Sequence, residues 1–95
     1  MGSVVDHFGY ADLIGFDLSD INLTYIFMMG ADLNGADLSD SDLNGADLSF
    51  ADLSNANLYD ADLTDAELNN VYWYDTTCPD GSNSDENGFT CEDNL

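Results

Sequence analysis

Residues 31–55 read ADLNG-ADLSD-SDLNG-ADLSF-ADLSN, and the same five-residue block continues from residue 11 to residue 75 without an insertion or deletion. Thirteen blocks fill this range, and residues 6–10 extend the register backwards by one more block. A period of five matches neither the 3.6-residue period of an α-helix nor the two-residue period of a β-strand. The pattern therefore predicts a solenoid in which the chain turns a corner every five residues.

Two positions of each block predict a thin core. The central position is usually Leu, with Met28 and Trp73 among the exceptions, and the position two residues earlier is usually Ala. The other three positions are mostly Asp, Asn, Ser, Thr and Gly. Near the start, Phe16, Ile21 and Ile26 stand at the normally small position. We therefore expect the first coil to be wider or to plug the tube, and we expect Trp73 to plug the opposite end.

The blocks resemble the pentapeptide repeat family, whose motif is A(D/N)LXX, over about two-thirds of the chain. The resemblance implies an all-β fold, a right-handed quadrilateral parallel β-helix with four blocks per coil and a little over three coils. It divides the chain into an N-terminal lead-in or cap (1–10), the β-helix (11–75) and a tail (76–95). Residues twenty apart should then stack, which places Asp12, Asp32 and Asp52 in one acidic ladder. The resemblance also implies that the Asp or Asn before each centre accepts a hydrogen bond from the backbone at the corner.

The composition limits the chain to one domain of 95 residues with an extreme negative charge. Lys and Arg are absent against twenty Asp and Glu, and the formal charge is −20. A conventional nucleic-acid binder is excluded because it needs cations for the phosphates, and an anionic membrane is disfavoured for the same reason. No apolar run is long enough for a transmembrane helix, and the start shows no signal peptide. The remaining options are cationic protein surfaces, metal ions or no partner.

The tail carries two cysteines, Cys78 and Cys91, in a segment rich in Gly, Asn and Asp. A disulfide between them would favour an oxidising, extracellular compartment. One interpretation adds Ca²⁺, because Asn83-x-Asp85-x-Asn87-Gly88 follows the start of an oxygen-ligand loop and the tail is similar to the calcium loops of thrombospondin type 3 repeats. The other interpretation is a stapled Asx/Gly turn without metal. The candidate Ca²⁺ ligands are Asp80, Asn83, Asp85, Asn87, Glu92 and Asp93.

Nothing in the sequence indicates catalysis. His7 is the only histidine, no Gly-rich phosphate loop is present, and no Lys or Arg could stabilise an anionic transition state. A convex tube also lacks the cleft in which active sites are found. We therefore predict that the protein is not an enzyme.

Apolar residues at outward positions and the unpaired strand edges of the tube ends predict self-association. The predicted function is a non-enzymatic structural module, extracellular, that assembles through its tube ends or an apolar side patch with support from divalent cations. The family resemblance suggests one alternative, a DNA-mimicking inhibitor of a type II topoisomerase. The tail suggests another, a secreted calcium-dependent binding module. The candidate interface residues are Tyr10, Phe27, Met29, Phe50 and Tyr74.

Overall fold

A computed structural model describes residues 8–95 of the chain. Residues 1–7, which include most of the predicted N-terminal lead-in or cap and His7, lie outside the described residues. Within the described part, each block contributes one β-bridge followed by a turn, and the only helix is a 3₁₀ helix at Ser84–Glu86. No helix in this part of the chain is long and apolar enough to cross a membrane.

Every parallel bridge found between residues 8 and 95 joins two residues that are twenty apart. Asp12 pairs with Asp32, Asp32 with Asp52, and Asp52 with Tyr72. Leu33 N donates to Asp52 O at 2.9 Å, and Asp52 N donates to Ala31 O at 3.0 Å. Four blocks therefore complete one coil, and the predicted stacking of residues twenty apart is observed.

The core is a column of Leu and Ala side chains along the tube axis. The inward position two residues before each centre is fully buried at Ala31, Ala46 and Ala51, because the coils on both sides cover it. Burying each Leu contributes about 1.5–3 kcal/mol. Trp73 is buried near the last coil, at the end that it was predicted to plug. The block centres with no exposed surface are Leu33, Leu38, Leu43, Leu48, Leu53, Leu58 and Cys78.

The corners are made by a carboxylate and a left-handed residue. Asp32 Oδ1 accepts from Asn34 N at 3.1 Å and Asp52 Oδ1 from Ser54 N at 2.9 Å, which confirms the predicted corner role. The last residue of many blocks has a positive φ, such as +71° at Gly35 and 60° at Asp40. Gly, Asn and Asp tolerate this conformation best, which explains why they dominate the position.

The regular geometry continues one block past residue 75, where the sequence motif ends. Thr77 forms a parallel bridge with Asn57, and Leu58 N donates to Thr77 O at 2.9 Å. Thr76 and Cys78 are fully buried at the two inward positions of this block. Residues 76–80 therefore stack on the coil below although neither Ala nor Leu is present.

The first coil does not form the predicted plug within residues 8–95. Ile26 is buried as expected, but the exposed fraction is 50% for Phe16 and 41% for Ile21. The expectation is wrong for these two side chains because no coil in the described range precedes them. An inward position is sealed only when a coil lies on each side of it.

Candidate functional site

Within residues 8–95 the N-terminal end of the tube is open and apolar. A cavity of about 180 Å³ lies there, and no coil of the described residues covers it. This cavity was not predicted from the sequence. The large residues at inward positions that are usually Ala, such as Ile21, nevertheless lie at this end of the tube. The residues that line the cavity are Phe8, Leu13, Leu18, Ile21, Leu23, Ile26 and Met28.

The backbone at this end has an unpaired edge. In the second coil, Asp32 N donates to Ala11 O at 2.9 Å, and Asp32 O accepts from Leu13 N at 2.8 Å. Asp12 stands one coil earlier, and within residues 8–95 neither its N–H nor its C=O has a backbone partner. The same holds for Asp17 and Asn22 in the described part of the chain. Such an edge is a template for pairing with another strand.

The tail covers part of the opposite end. Asn83 forms an antiparallel bridge with Thr77, and Ser84 N donates to Thr76 O at 2.8 Å. The Ser84 side chain is fully buried, and its hydroxyl accepts from Thr76 N at 3.0 Å. Asp75 N, which would otherwise point into solvent at the tube edge, donates to Asp85 Oδ1 at 2.8 Å. The tail thus takes the place of a further coil along part of the perimeter.

The predicted disulfide is present between Cys78 and Cys91, and both residues are fully buried. Cys78 occupies a block centre, so the bond ties the tail to the tube axis. The two cysteines are 13 residues apart in sequence. In the chain-entropy model, closing a loop of this size stabilises the folded state by about 3 kcal/mol.

Asp80 is the predicted calcium ligand with the most hydrogen bonds. Its Oδ1 accepts from Ser82 N at 2.9 Å and from Ser82 Oγ at 2.6 Å, and its Oδ2 accepts from Asn94 Nδ2 at 2.9 Å. The bond from the Ser82 hydroxyl, followed by the bonds from Ser82 N and Asn94, lowers the pKa of Asp80 below its ordinary value. Both carboxylate oxygens therefore act as acceptors that hold the tail.

Most of the other predicted ligands also have internal roles. Asn83 Oδ1 caps the 3₁₀ helix by accepting from Asp85 N at 2.8 Å, and Asn87 Nδ2 donates to Asn83 O at 3.0 Å. Glu92 accepts weakly from a nearby hydroxyl, and Asp93 is exposed. Among residues 8–95 no group of three or more His, Cys, Asp or Glu side chains lies in position to hold a metal ion. Calcium binding by the tail stays a prediction.

The predicted interface residues differ in their exposure. The exposed fraction is 77% for Tyr10, 62% for Tyr74 and 52% for Phe50, whereas Phe27 and Met29 are half-buried. Tyr10 and Phe50 occupy the same block position on coils two apart, and Gly30 lies between them in the stack.

The Tyr10 ring lies over Gly30. A Cβ added to Gly30 would stand 2.6 Å from Tyr10 Cδ1. Tyr25 covers Gly45 in the same way, with 2.6 Å between the added Cβ and Tyr25 Cδ1. Neither pair was predicted from the sequence, although each glycine follows its tyrosine by twenty residues.

In the acidic ladders of the outer surface, hydrogen bonds from neighbouring hydroxyl groups lower the pKa of two carboxylates. The hydroxyl of Ser19 donates to Asp17, and with the bond from Ser19 N it lowers the pKa of Asp17. Thr64 lowers the pKa of Asp62 in the same way. Asp42 and Asp62 also face each other in a parallel bridge, an arrangement of like charges that destabilises a sheet.

Within residues 8–95 these features define a small acidic β-solenoid with one open end and one stapled end. A family model for pentapeptide repeats matches residues 7–40 and 31–70, with eight copies of the repeat. The chain belongs to the pentapeptide repeat family, which confirms the resemblance drawn from the sequence and implies a right-handed quadrilateral β-helix. Pentapeptide repeat proteins are generally non-enzymatic structural or protein-interaction modules.

Several solved structures are similar to this chain. The pentapeptide repeat protein Rfr23 from Cyanothece 51142 is 33% identical over 64% of this chain and 52% of its own, with a TM-score of 0.42. The protein alr5209 from Nostoc Pcc 7120 is 31% identical over 75% of this chain and 69% of its own, with a TM-score of 0.45. AT2G44920 from the Arabidopsis thaliana thylakoid lumen is 26% identical over 90% and 71%, with a TM-score of 0.48.

The chain thus spans about half the length of Rfr23. No curated protein matches it significantly.

Proposed function

We propose that the protein is a non-enzymatic self-association module that works outside the cell. It assembles through the open N-terminal end of the tube or through the apolar side patch formed by Tyr10, Phe27, Met29 and Phe50, and divalent cations support the assembly. The observation that carries this proposal is the combination of an apolar cavity with an unpaired strand edge at one end. Buried apolar surface and completed backbone hydrogen bonds both favour contact with another molecule there.

The side patch supports the same proposal. Phe50 and Tyr10 expose large apolar side chains on one corner of the solenoid, with half-buried Met29 in the adjoining column. Scattered exposed apolar residues need no explanation, but a contiguous patch is typical of an interaction site. A lateral contact through this patch would leave both tube ends accessible.

Charge determines the conditions under which assembly should occur. Each copy carries a formal charge of −20 and no Lys or Arg, so two copies repel each other. Two like charges about 4 Å apart repel by about 1 kcal/mol in water-like surroundings, and the repulsion between exposed charges falls steeply with salt. Ca²⁺ is the cation that the tail suggests, with ligands drawn from the six predicted positions. The buried disulfide supports an oxidising compartment, which for most organisms is extracellular.

The test is the particle mass of the full chain, measured by size-exclusion chromatography with light scattering under non-reducing conditions. We expect assemblies in millimolar CaCl₂ or in high NaCl and a smaller species in EDTA at low salt. Ile21→Asp tests the open end and Phe50→Asp tests the side patch. Asn55→Asp is the control, because it adds the same charge at an exposed corner that belongs to neither the cavity lining nor the side patch. A monomer under every condition would refute self-association, and equal assembly in CaCl₂, NaCl and EDTA would remove the role of cations.

A further inference from the structure

We propose that the open N-terminal end is a docking site for an extended segment of a cationic protein, which adds a strand to the exposed edge and places an apolar side chain in the cavity. This inference rests on the proposed function in that it uses the same open end. It goes further by naming the chemistry of the partner.

The backbone groups at this end suit an incoming strand. One coil further on, Asp37 N donates to Phe16 O at 2.9 Å, and Leu18 N donates to Asp37 O at 2.7 Å. Asp17 presents the same N–H and C=O toward the open side, and neither is paired within residues 8–95. An extended segment laid along one face could therefore make two hydrogen bonds at the unpaired position of that face, which is the geometry of β-strand addition.

The cavity supplies a place for one apolar side chain of that segment. Leu13 and Leu23 are buried in its wall, whereas Ile21 at its rim keeps 41% of its surface exposed. The lining contains only apolar side chains. A strand laid on the edge points alternate side chains toward the axis, so the residue next to the pairing position enters the cavity.

The charge at this end identifies the partner. Asp12, Asp17 and Asp20 are exposed on the two blocks of residues 11–20, while residues 21–30 contain no Asp or Glu. A second copy of this chain has no Lys or Arg to offer, so its association at this end depends on added salt or divalent cations, whereas a cationic segment neutralises the acidic side chains itself. A segment with Lys or Arg flanking an apolar residue matches both the acidic rim and the apolar centre. The lowered pKa of Asp17 keeps that carboxylate charged in weakly acidic conditions.

The experiment measures binding of short labelled peptides to the full chain by fluorescence anisotropy at low and high NaCl. The probe is a seven-residue peptide of alternating Lys and Val, and the comparison peptides replace every Lys by Glu or every Val by Ser. We expect the Lys/Val peptide to bind and its affinity to fall as NaCl rises. The Lys/Ser peptide should bind about tenfold more weakly, the loss expected when one apolar side chain is no longer buried.

Two pairs of variants separate specific docking from general attraction to an acidic protein. Ile21→Ser should weaken binding by about tenfold, whereas Ile14→Ser, at an exposed isoleucine outside the cavity lining, should leave it unchanged. Asp20→Asn should weaken binding about threefold at low salt, whereas Asp60→Asn, at the same block position two coils away, should have little effect. Thermal melting of each variant verifies that it is folded.

Equal effects of Asp20→Asn and Asp60→Asn would overturn the inference, because they would show attraction to the whole acidic surface. Full binding by a folded Ile21→Ser variant would overturn it as well. Binding seen only after Val4 and Val5 are both changed to Ser would assign the end to the chain's own N-terminal segment instead. A chain that assembles alone but ignores the peptide refutes only this inference, and a monomer that binds the peptide refutes only self-association.

Discussion

Replacing Gly30 by Ala tests the contact between successive coils at a single position. The φ of Gly30 is +69°, and an added Cβ would stand 2.6 Å from Tyr10 Cδ1, so the ring must move. Gly35 is the matched control, because its φ is +71° and an added Cβ would meet nothing within 4 Å. Both substitutions carry the same left-handed strain, about 1 kcal/mol.

The difference between the two variants is the loss of the ring contact. Tyr10 keeps 77% of its surface exposed, so about a quarter of a full aromatic burial is at stake. Full burial of a large side chain contributes about 1.5–3 kcal/mol, and a quarter of that is about 0.5 kcal/mol. We therefore expect Gly30→Ala to destabilise the fold by about 1.5 kcal/mol and Gly35→Ala by about 1 kcal/mol.

Urea unfolding followed by circular dichroism measures both free energies of unfolding. A double-mutant cycle with Tyr10→Ala should show that the extra loss at Gly30 disappears when the ring is absent. Gly45→Ala repeats the experiment under Tyr25, whose ring covers Gly45 in the same way. Equal destabilisation at Gly30, Gly35 and Gly45, with no coupling to either tyrosine, would show that the rings do not pack on the next coil.

Three further predictions concern the tail. Changing Cys78 and Cys91 together to Ser should lower the free energy of unfolding by about 3 kcal/mol, measured by urea unfolding, and an unchanged value would mean that the tail docks without the staple. Ser84→Ala should cost about 1–2 kcal/mol, because the buried Thr76 N–H then loses its partner; a thermal melt identical to that of the parent chain would contradict this. The pKa of Asp80 is lowered, so its contribution to stability is complete above the ordinary aspartate pKa and is lost as the pH falls through the lowered folded value. An NMR titration of the Asp80 carboxyl that gives an ordinary or raised pKa would refute this assignment.

The repeat register was readable from the sequence because it is local. A buried Ala followed two residues later by a buried Leu, such as Ala31 and Leu33, recurs along the repeat. The Asp between them accepts a hydrogen bond at the corner from the backbone N–H two residues later. Each of these roles depends on residues inside one block. Once each coil is known to contain four blocks, the five-residue period also predicts that Asp12 stacks on Asp32.

The block at residues 76–80 was not readable, because Thr76 and Cys78 replace the Ala and Leu of the motif. Their burial comes from the coil below and from Ser84, which approaches from a later part of the chain. The predicted calcium ligands show the same limit. A spacing of oxygen-bearing residues is compatible with both an ion site and a set of turns, and only the partners of Asp80 and Asn83 show how the oxygens are used here.

The sequence by itself determined that this protein is a pentapeptide solenoid with an acidic exterior, because inward and outward positions are specified afresh in every five residues. Only the tertiary structure decided how its two ends differ. Ile21 is as apolar as a core residue, yet it stays partly exposed since no coil covers it in the described range. Ser84 is polar, yet it is fully buried since the tail folds back on the last coil. Whether an end is open or closed depends on contacts between distant segments, and a local repeat does not encode them.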